Sequence, residues 1–106
     1  MEGQSVGFVK IPLSKEYVYR FTSNNYPDYY FRHRNLELWL DKNETTDLYI
    51  KDSSWKIVSG LNGRATVSFE SINFPGHYLR HSNFLVGMDK FEDKQLFKED
   101  SSFYVH

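Results

Sequence analysis

The sequence predicts an all-β chain with β-trefoil-like architecture, and three observations predict it. First, the chain overlays itself without a gap when shifted by 48 residues, with 15 identities over the 38 positions from Phe21 to Val58. Second, each copy breaks into short runs in which apolar and polar residues alternate, the period of a half-buried strand. Third, no run keeps a 3.6-residue apolar period over the ten or more residues that a stable helix needs. Repeats of about 40–50 residues with four strands each suit a trefoil or a propeller blade. A propeller needs at least four blades, so the trefoil is the better match.

The elements follow in order. Val6-Gly7-Phe8-Val9-Lys10-Ile11-Pro12 resembles the end of a repeat, as in Trp55-Lys56-Ile57-Val58-Ser59-Gly60, and reads as the last strand of a missing repeat. Tyr17-Val18-Tyr19-Arg20-Phe21 alternates and opens the first repeat, about 17–64. Asn25-Tyr26-Pro27 is a turn. Arg32-His33-Arg34-Asn35 reads as the next turn, where Asn35 tolerates the positive φ of a two-residue hairpin. Leu36-Glu37-Leu38-Trp39-Leu40 alternates again, and Asp52-Ser53-Ser54-Trp55 turns into the closing strand. The second repeat, about 65–106, follows the same order. Thr66-Val67-Ser68-Phe69 is a strand, Asn73-Phe74-Pro75-Gly76 a turn, Tyr78-Leu79-Arg80-His81-Ser82-Asn83 a strand and hairpin, and Asp100-Ser101-Ser102-Phe103 the last turn. Tyr26, Phe74, Trp55 and Phe103 alternate with polar neighbours and read as core. A trefoil needs three repeats and two are visible, so the third is expected to be missing or supplied by another chain. Two repeats alone would leave strand edges open.

The length fits one domain, taken as 1–106. With 13 basic and 14 acidic side chains, the chain has no global field to draw in nucleic acid or an anionic membrane. It contains no cysteine, which excludes disulfides, thiolate metal sites and cysteine nucleophiles. No stretch approaches the ~20 apolar residues of a membrane span. Met1-Glu2-Gly3-Gln4-Ser5 lacks the basic and apolar regions of a signal peptide.

The segment Ser68-Phe69-Glu70-Ser71-Ile72-Asn73-Phe74-Pro75-Gly76-His77-Tyr78-Leu79-Arg80-His81, with Asp100-Ser101-Ser102-Phe103, closely resembles the AbfB domain. That is the arabinofuranose-binding module of carbohydrate-binding family 42, found on α-L-arabinofuranosidases. The first repeat matches through Asn25-Tyr26-Pro27, Tyr30-Phe31-Arg32-His33-Arg34-Asn35 and Asp52-Ser53-Ser54-Trp55. The resemblance covers roughly 17–106. It implies a trefoil with up to one sugar pocket per repeat, built around the His after Tyr-x-Arg and the Asp before Ser-Ser-aromatic. Carried over, these are His33 with Asp52 and His81 with Asp100, both pairs 19 residues apart. It further implies arabinose-bearing polysaccharides or oligosaccharides as ligands, a covalently linked glycoside hydrolase as neighbour, and an extracellular setting. A homo-oligomer would complete the trefoil.

The residue types suit that chemistry. An ionised carboxylate such as Asp52 or Asp100 accepts two neighbouring hydroxyls at once, and an imidazole adds a donor or acceptor at a fixed angle. The faces of Tyr30, Tyr78 and Phe84 can cover the C–H face of a sugar. Plainer roles exist for each. The aspartates can brace an Asx-turn and the histidines can hold a turn by a hydrogen bond. Arg32 and Arg80 read as structural ion pairs. The second repeat has Gly76 and Phe84 where the first has Asp28 and Leu36, so the first pocket is expected to be the weaker.

Enzymatic readings find less support. A glycosidase needs two carboxylates flanking one bond, and each repeat supplies one Asp per pocket. No hydrolase, Walker or zinc-protease motif appears. His77 and His81 would need a helix to share a metal, and their segment reads as a strand. Neither a metal nor a cofactor is implied. The sequence therefore predicts a non-catalytic carbohydrate-binding module. The alternative is a β-trefoil scaffold that contacts a protein and binds no sugar. Convergent, open Asp–His pairs would favour the first; buried, mutually satisfied pairs would favour the second.

Overall fold

A computed structural model describes the backbone of residues 6–10 and residues 18–82 and 85–104, with the side chains at 82 and 85 left aside. Eight strands and two short helices are seen there. In chain order they are β1 (Val6–Lys10), β2 (Val18–Ser23), β3 (Tyr29–Arg34), β4 (Glu37–Lys42), α1 (Asp47–Asp52), β5 (Trp55–Ser59), β6 (Val67–Ser71), β7 (His77–Ser82), β8 (Leu85–Lys90) and α2 (Gln95–Asp100). All strand pairings are antiparallel.

The duplication is visible in the pairing register. The hairpin β3–β4 sets Tyr29 against Lys42 and Arg34 against Glu37. Forty-eight residues on, β7–β8 sets His77 against Lys90 and Ser82 against Leu85. The β3–β4 turn is Asn35-Leu36, both with positive φ (53° and 63°), the backbone that a tight two-residue hairpin requires. Asn83 and Phe84, the corresponding turn, lie outside the described residues. β1 pairs along β2, Val6 opposite Ser23, in the manner in which β5 pairs along β6, Trp55 opposite Ser71.

The chain is all-β, but the trefoil expectation is overturned. The sheet order is β1-β2-β3-β4-β8-β7-β6-β5, and β5 returns to pair with β2. Seven strands thus close a ring, a barrel of antiparallel strands rather than three repeats about a threefold axis. The physical reason is the edge problem. Two repeats would leave the hairpins β3–β4 and β7–β8 with open edges, and they meet each other through Glu37 and Gly87. At the other side Val18 and Tyr19 of β2 take Lys56 and Trp55 of β5 as partners. Because the ring closes within one chain, a second copy to complete a trefoil loses its premise.

The core fills this ring with repeat mates. Phe21 and Phe69 occupy the same place in the two repeats, are almost fully buried, and meet edge to face with centroids 5.0 Å apart. Phe31, Leu79, Met88 and Trp55 complete the buried cluster, with Leu38, Leu40, Val86 and Phe103 packed against it. Trp55 is fully buried, as expected of core. Tyr26 and Phe74, also expected in the core, are 53% and 42% exposed. They sit in the turns after β2 and β6, where strand alternation has ended and no longer dictates direction. The helices were not legible either: each has six residues, too few to show a period. Thr46 caps α1 by accepting from the Tyr49 amide.

Candidate functional site

The Asp-Ser-Ser motif forms a helix C-terminus in both repeats. Asp52 and Asp100 are the last residues of α1 and α2. Ser53 Oγ donates to the Tyr49 carbonyl at 2.7 Å, and Ser102 Oγ donates to the Lys98 carbonyl at 2.6 Å. These bonds satisfy carbonyls that a helix leaves open at its end. A carboxylate at that end faces the negative pole of the helix, so it needs a cation beside it. Arg32 of β3 bonds Asp52, and Arg80 of β7 bonds Asp100 at 3.2 Å. The expected structural ion pairs of the two arginines are present.

In the first repeat the expected pocket is filled. His33 is 3% and Asp52 5% exposed. Besides Arg32, Asp52 Oδ1 accepts from Asn73 Nδ2 at 2.7 Å and lies 3.5 Å from His33 Nε2. His33 Nε2 donates to Asn73 Oδ1 at 2.8 Å, which places the proton on Nε2. Ser71 Oγ also donates to Asn73 Oδ1, at 3.1 Å. The His33 ring packs on Phe74 (4.7 Å) and Trp55 (5.9 Å). Tyr30 is half-buried, and the Arg20 guanidinium covers its ring at 3.9 Å. Asp52 and His33 do converge, but in a buried cluster, where Arg32 Nε and Trp55 Nε1 have no hydrogen-bond partner among the described residues.

The residues that cover it, Ser71, Asn73 and Phe74, come from the following repeat, and their place here was missed by sequence reasoning. The signal was present. Ser23 with Asn25 and Ser71 with Asn73 repeat identically, and two matched polar residues within three positions mark more than a turn.

The second repeat is arranged differently. His81, near the end of β7, is exposed, and among the described residues it has no hydrogen-bonding partner. Its ring stands 6.0 Å from Phe103, as His33 stands from Trp55. Asp100 keeps 15% of its side chain exposed and, among the described residues, pairs only through Oδ2, with Nε and Nη2 of Arg80 at 3.3 and 3.2 Å. Its Oδ1 therefore retains free acceptor capacity. Arg80 also lies 3.6 Å from Asp89. Tyr78 is half-buried against Phe91. Burial, helped by the Glu70 carboxylate and opposed by Lys56, holds its phenol above the ordinary value. Phe84 lies outside the described residues. Gly76 takes φ +80°, whereas Asp28 stays out of the left-handed region, so the two turns differ in path.

Among the described residues no group of three or more metal-ligating side chains converges, and no helix is long and apolar enough to cross a membrane.

Two short helices each deliver an Asp to an Arg-His strand on a closed antiparallel sheet, which makes a small β module. The alpha-L-arabinofuranosidase B (ABFB) domain family matches residues 7–57 and again residues 46–106. The chain belongs to that family, and the class is an arabinofuranose-related carbohydrate-binding module. An extracellular exo-alpha-(1->5)-L-arabinofuranosidase of Streptomyces avermitilis is 44% identical over 49 residues, 46% of this chain and 10% of that protein. Among solved structures, a GH54 α-L-arabinofuranosidase soaked with a cyclic sulfate inhibitor superposes with a TM-score of 0.77 at 25% identity, over 91% of this chain and 21% of that one. An arabinofuranosidase complexed with arabinofuranosyl-alpha-1,2-xylobiose superposes at 0.73 and 24% identity, over 98% of this chain and 20% of that one. The chain thus spans a tenth to a fifth of the length of these proteins.

Proposed function

We propose that the chain is a non-catalytic module that binds arabinofuranose side chains of plant polysaccharides such as arabinoxylan and arabinan, outside the cell, and holds a glycoside hydrolase domain near them. The second repeat is the working site. Asp100 accepts sugar hydroxyls through its free Oδ1, His81 supplies a second polar contact, and Tyr78 lends apolar surface. The observation that carries this reading is the contrast between the repeats. His33 and Asp52 are 3% and 5% exposed and share Asn73, whereas His81 is exposed and Asp100 keeps 15% of its side chain exposed. What supports the non-catalytic part is the family match to a domain that makes up a tenth to a fifth of the arabinofuranosidases it resembles.

Calorimetry tests it. Arabinose-substituted oligosaccharides should bind with Kd on the order of 0.1–1 mM, and unsubstituted xylo-oligosaccharides more weakly. The isolated chain should release no aryl group from an aryl arabinofuranoside above background. Equal affinity for both oligosaccharides overturns the side-chain specificity, and turnover lost in Asp100→Asn overturns the binding-only role.

A further inference from the structure

The hairpins β3–β4 and β7–β8 meet at a cleft of about 310 Å³ that includes neither His81 nor Asp100. Its walls are mixed. Leu36, Leu38 and Val86 give an apolar side, while Glu37, Asp89 and Arg80 give the polar side. Two features shape it. Leu36, at φ +63° in the two-residue turn of β3–β4, lines the cleft and is 46% exposed. Gly87 stands where the first repeat has Trp39, but its φ is not positive, and a Cβ there would meet only the Leu36 carbonyl at 3.4 Å. The backbone does not require glycine at 87. What the glycine provides is the space. In the first repeat Trp39 projects from the same position and carries the Arg34 guanidinium on its ring at 4.2 Å.

We infer that this cleft is a second saccharide subsite, for a neutral pentose ring adjoining the one at His81 and Asp100; the inference rests on the binding reading above. The lining has the chemistry of a sugar, with carboxylates to accept a vicinal pair of hydroxyls, a guanidinium to donate, and aliphatic groups for the C–H face. Glu37 is exposed and, among the described residues, no cation pairs with it, so its acceptors are free. The volume lies at the small end of ligand pockets, about 300–1,000 Å³, and suits one ring rather than a long glycan. Arg80 joins the two places. Its Nε and Nη2 hold Asp100 while its Nη1 faces Asp89 in the cleft, so one guanidinium separates the two sites. That spacing fits neighbouring rings of one oligosaccharide.

NMR titration of the chain with arabinofuranosyl-α-1,2-xylobiose tests this. Amide shifts are expected at Leu38, Val86 and Gly87 as well as around His81. Glu37→Gln should weaken the trisaccharide about tenfold, the loss of a charge-assisted hydrogen bond. Leu36→Gly should weaken it while melting no lower than the parent chain, because it relieves a positive φ. Gly87→Val should fill the cleft and act like Glu37→Gln. All three should retain binding of methyl α-L-arabinofuranoside, a single ring. Shifts confined to the surroundings of His81, or unchanged affinity in both Glu37→Gln and Leu36→Gly, overturn the second subsite and leave the binding function standing. Absence of shifts everywhere overturns both. Shifts at the cleft alone support the subsite and overturn the assignment of His81 and Asp100.

Discussion

Replacing each of the two aspartates by alanine should separate folding from binding. Asp52 is 5% exposed and is held by Arg32, Asn73 and the nearby His33 ring. Its removal strands a guanidinium and an amide group in a buried setting. Breaking a buried ion pair from one side costs about 3–5 kcal/mol. Arg32 keeps Asp41 and Glu44 at 3.9 Å, which softens the loss toward the lower end. At about 4–8 °C per kcal/mol for a domain near this size, Asp52→Ala should melt at least ~12 °C below the parent chain. Among the described residues Asp100 has one partner, Arg80, which retains Asp89, and the two side chains are 15% and 18% exposed. Asp100→Ala should therefore cost about 1–2 kcal/mol, between an exposed pair and a buried one. The order should reverse for binding. Asp100→Ala should remove most measurable affinity for arabinose-substituted oligosaccharides, because a carboxylate making two hydrogen bonds to sugar is worth about 1.5–3 kcal/mol. Asp52→Ala, measured below its melting point, should keep most of it. Urea denaturation followed by Trp fluorescence gives the stabilities, since Trp55 is fully buried, and NMR titration gives the affinities. The reasoning fails if the two variants melt within a few degrees of each other, or if Asp100→Ala binds as the parent does.

Two further outcomes follow from single groups. At Gly76 (φ +80°) an added Cβ meets nothing within 4 Å, so Gly76→Ala should cost about 1–2 kcal/mol of backbone strain alone, whereas Gly60→Ala should cost more, because its Cβ would fall 1.8 Å from Thr66 Oγ1; thermal melts that rank them the other way contradict this account. The buried Tyr49 phenol is raised above its ordinary value of 10.0 by burial, against the pull of Arg20. A raised acid favours the neutral form in the folded state, so this contribution is complete below pH 10 and is lost as the pH climbs through the folded pKa. Urea midpoints should hold to about pH 10 and fall above it, with a shallower fall in Tyr49→Phe; identical slopes would remove Tyr49 as the cause.

The sequence by itself determined the duplication, the strand class and the ion-pairing residues, because these are local or periodic. A side chain that alternates in a strand faces the same way whatever closes the sheet, so Trp55 was legible as core, while Tyr26 and Phe74, read the same way, lie in turns and are exposed. The family was legible for the same reason: its motif residues keep their spacing in both repeats. Closure was not legible. Whether two hairpins complete a ring depends on the contact of Glu37 with Gly87 and of Tyr19 with Trp55, pairs far apart in sequence that no periodicity encodes. The same is true of the site. His33 and His81 stand in matching local sequence, and only the tertiary neighbours differ. Ser71, Asn73 and Phe74 fold over the first and bury it. No described residue does this for the second. An isolated motif specifies which groups come together, but the free energy of exposing or burying them belongs to what packs against them, and that is set by the folded chain as a whole.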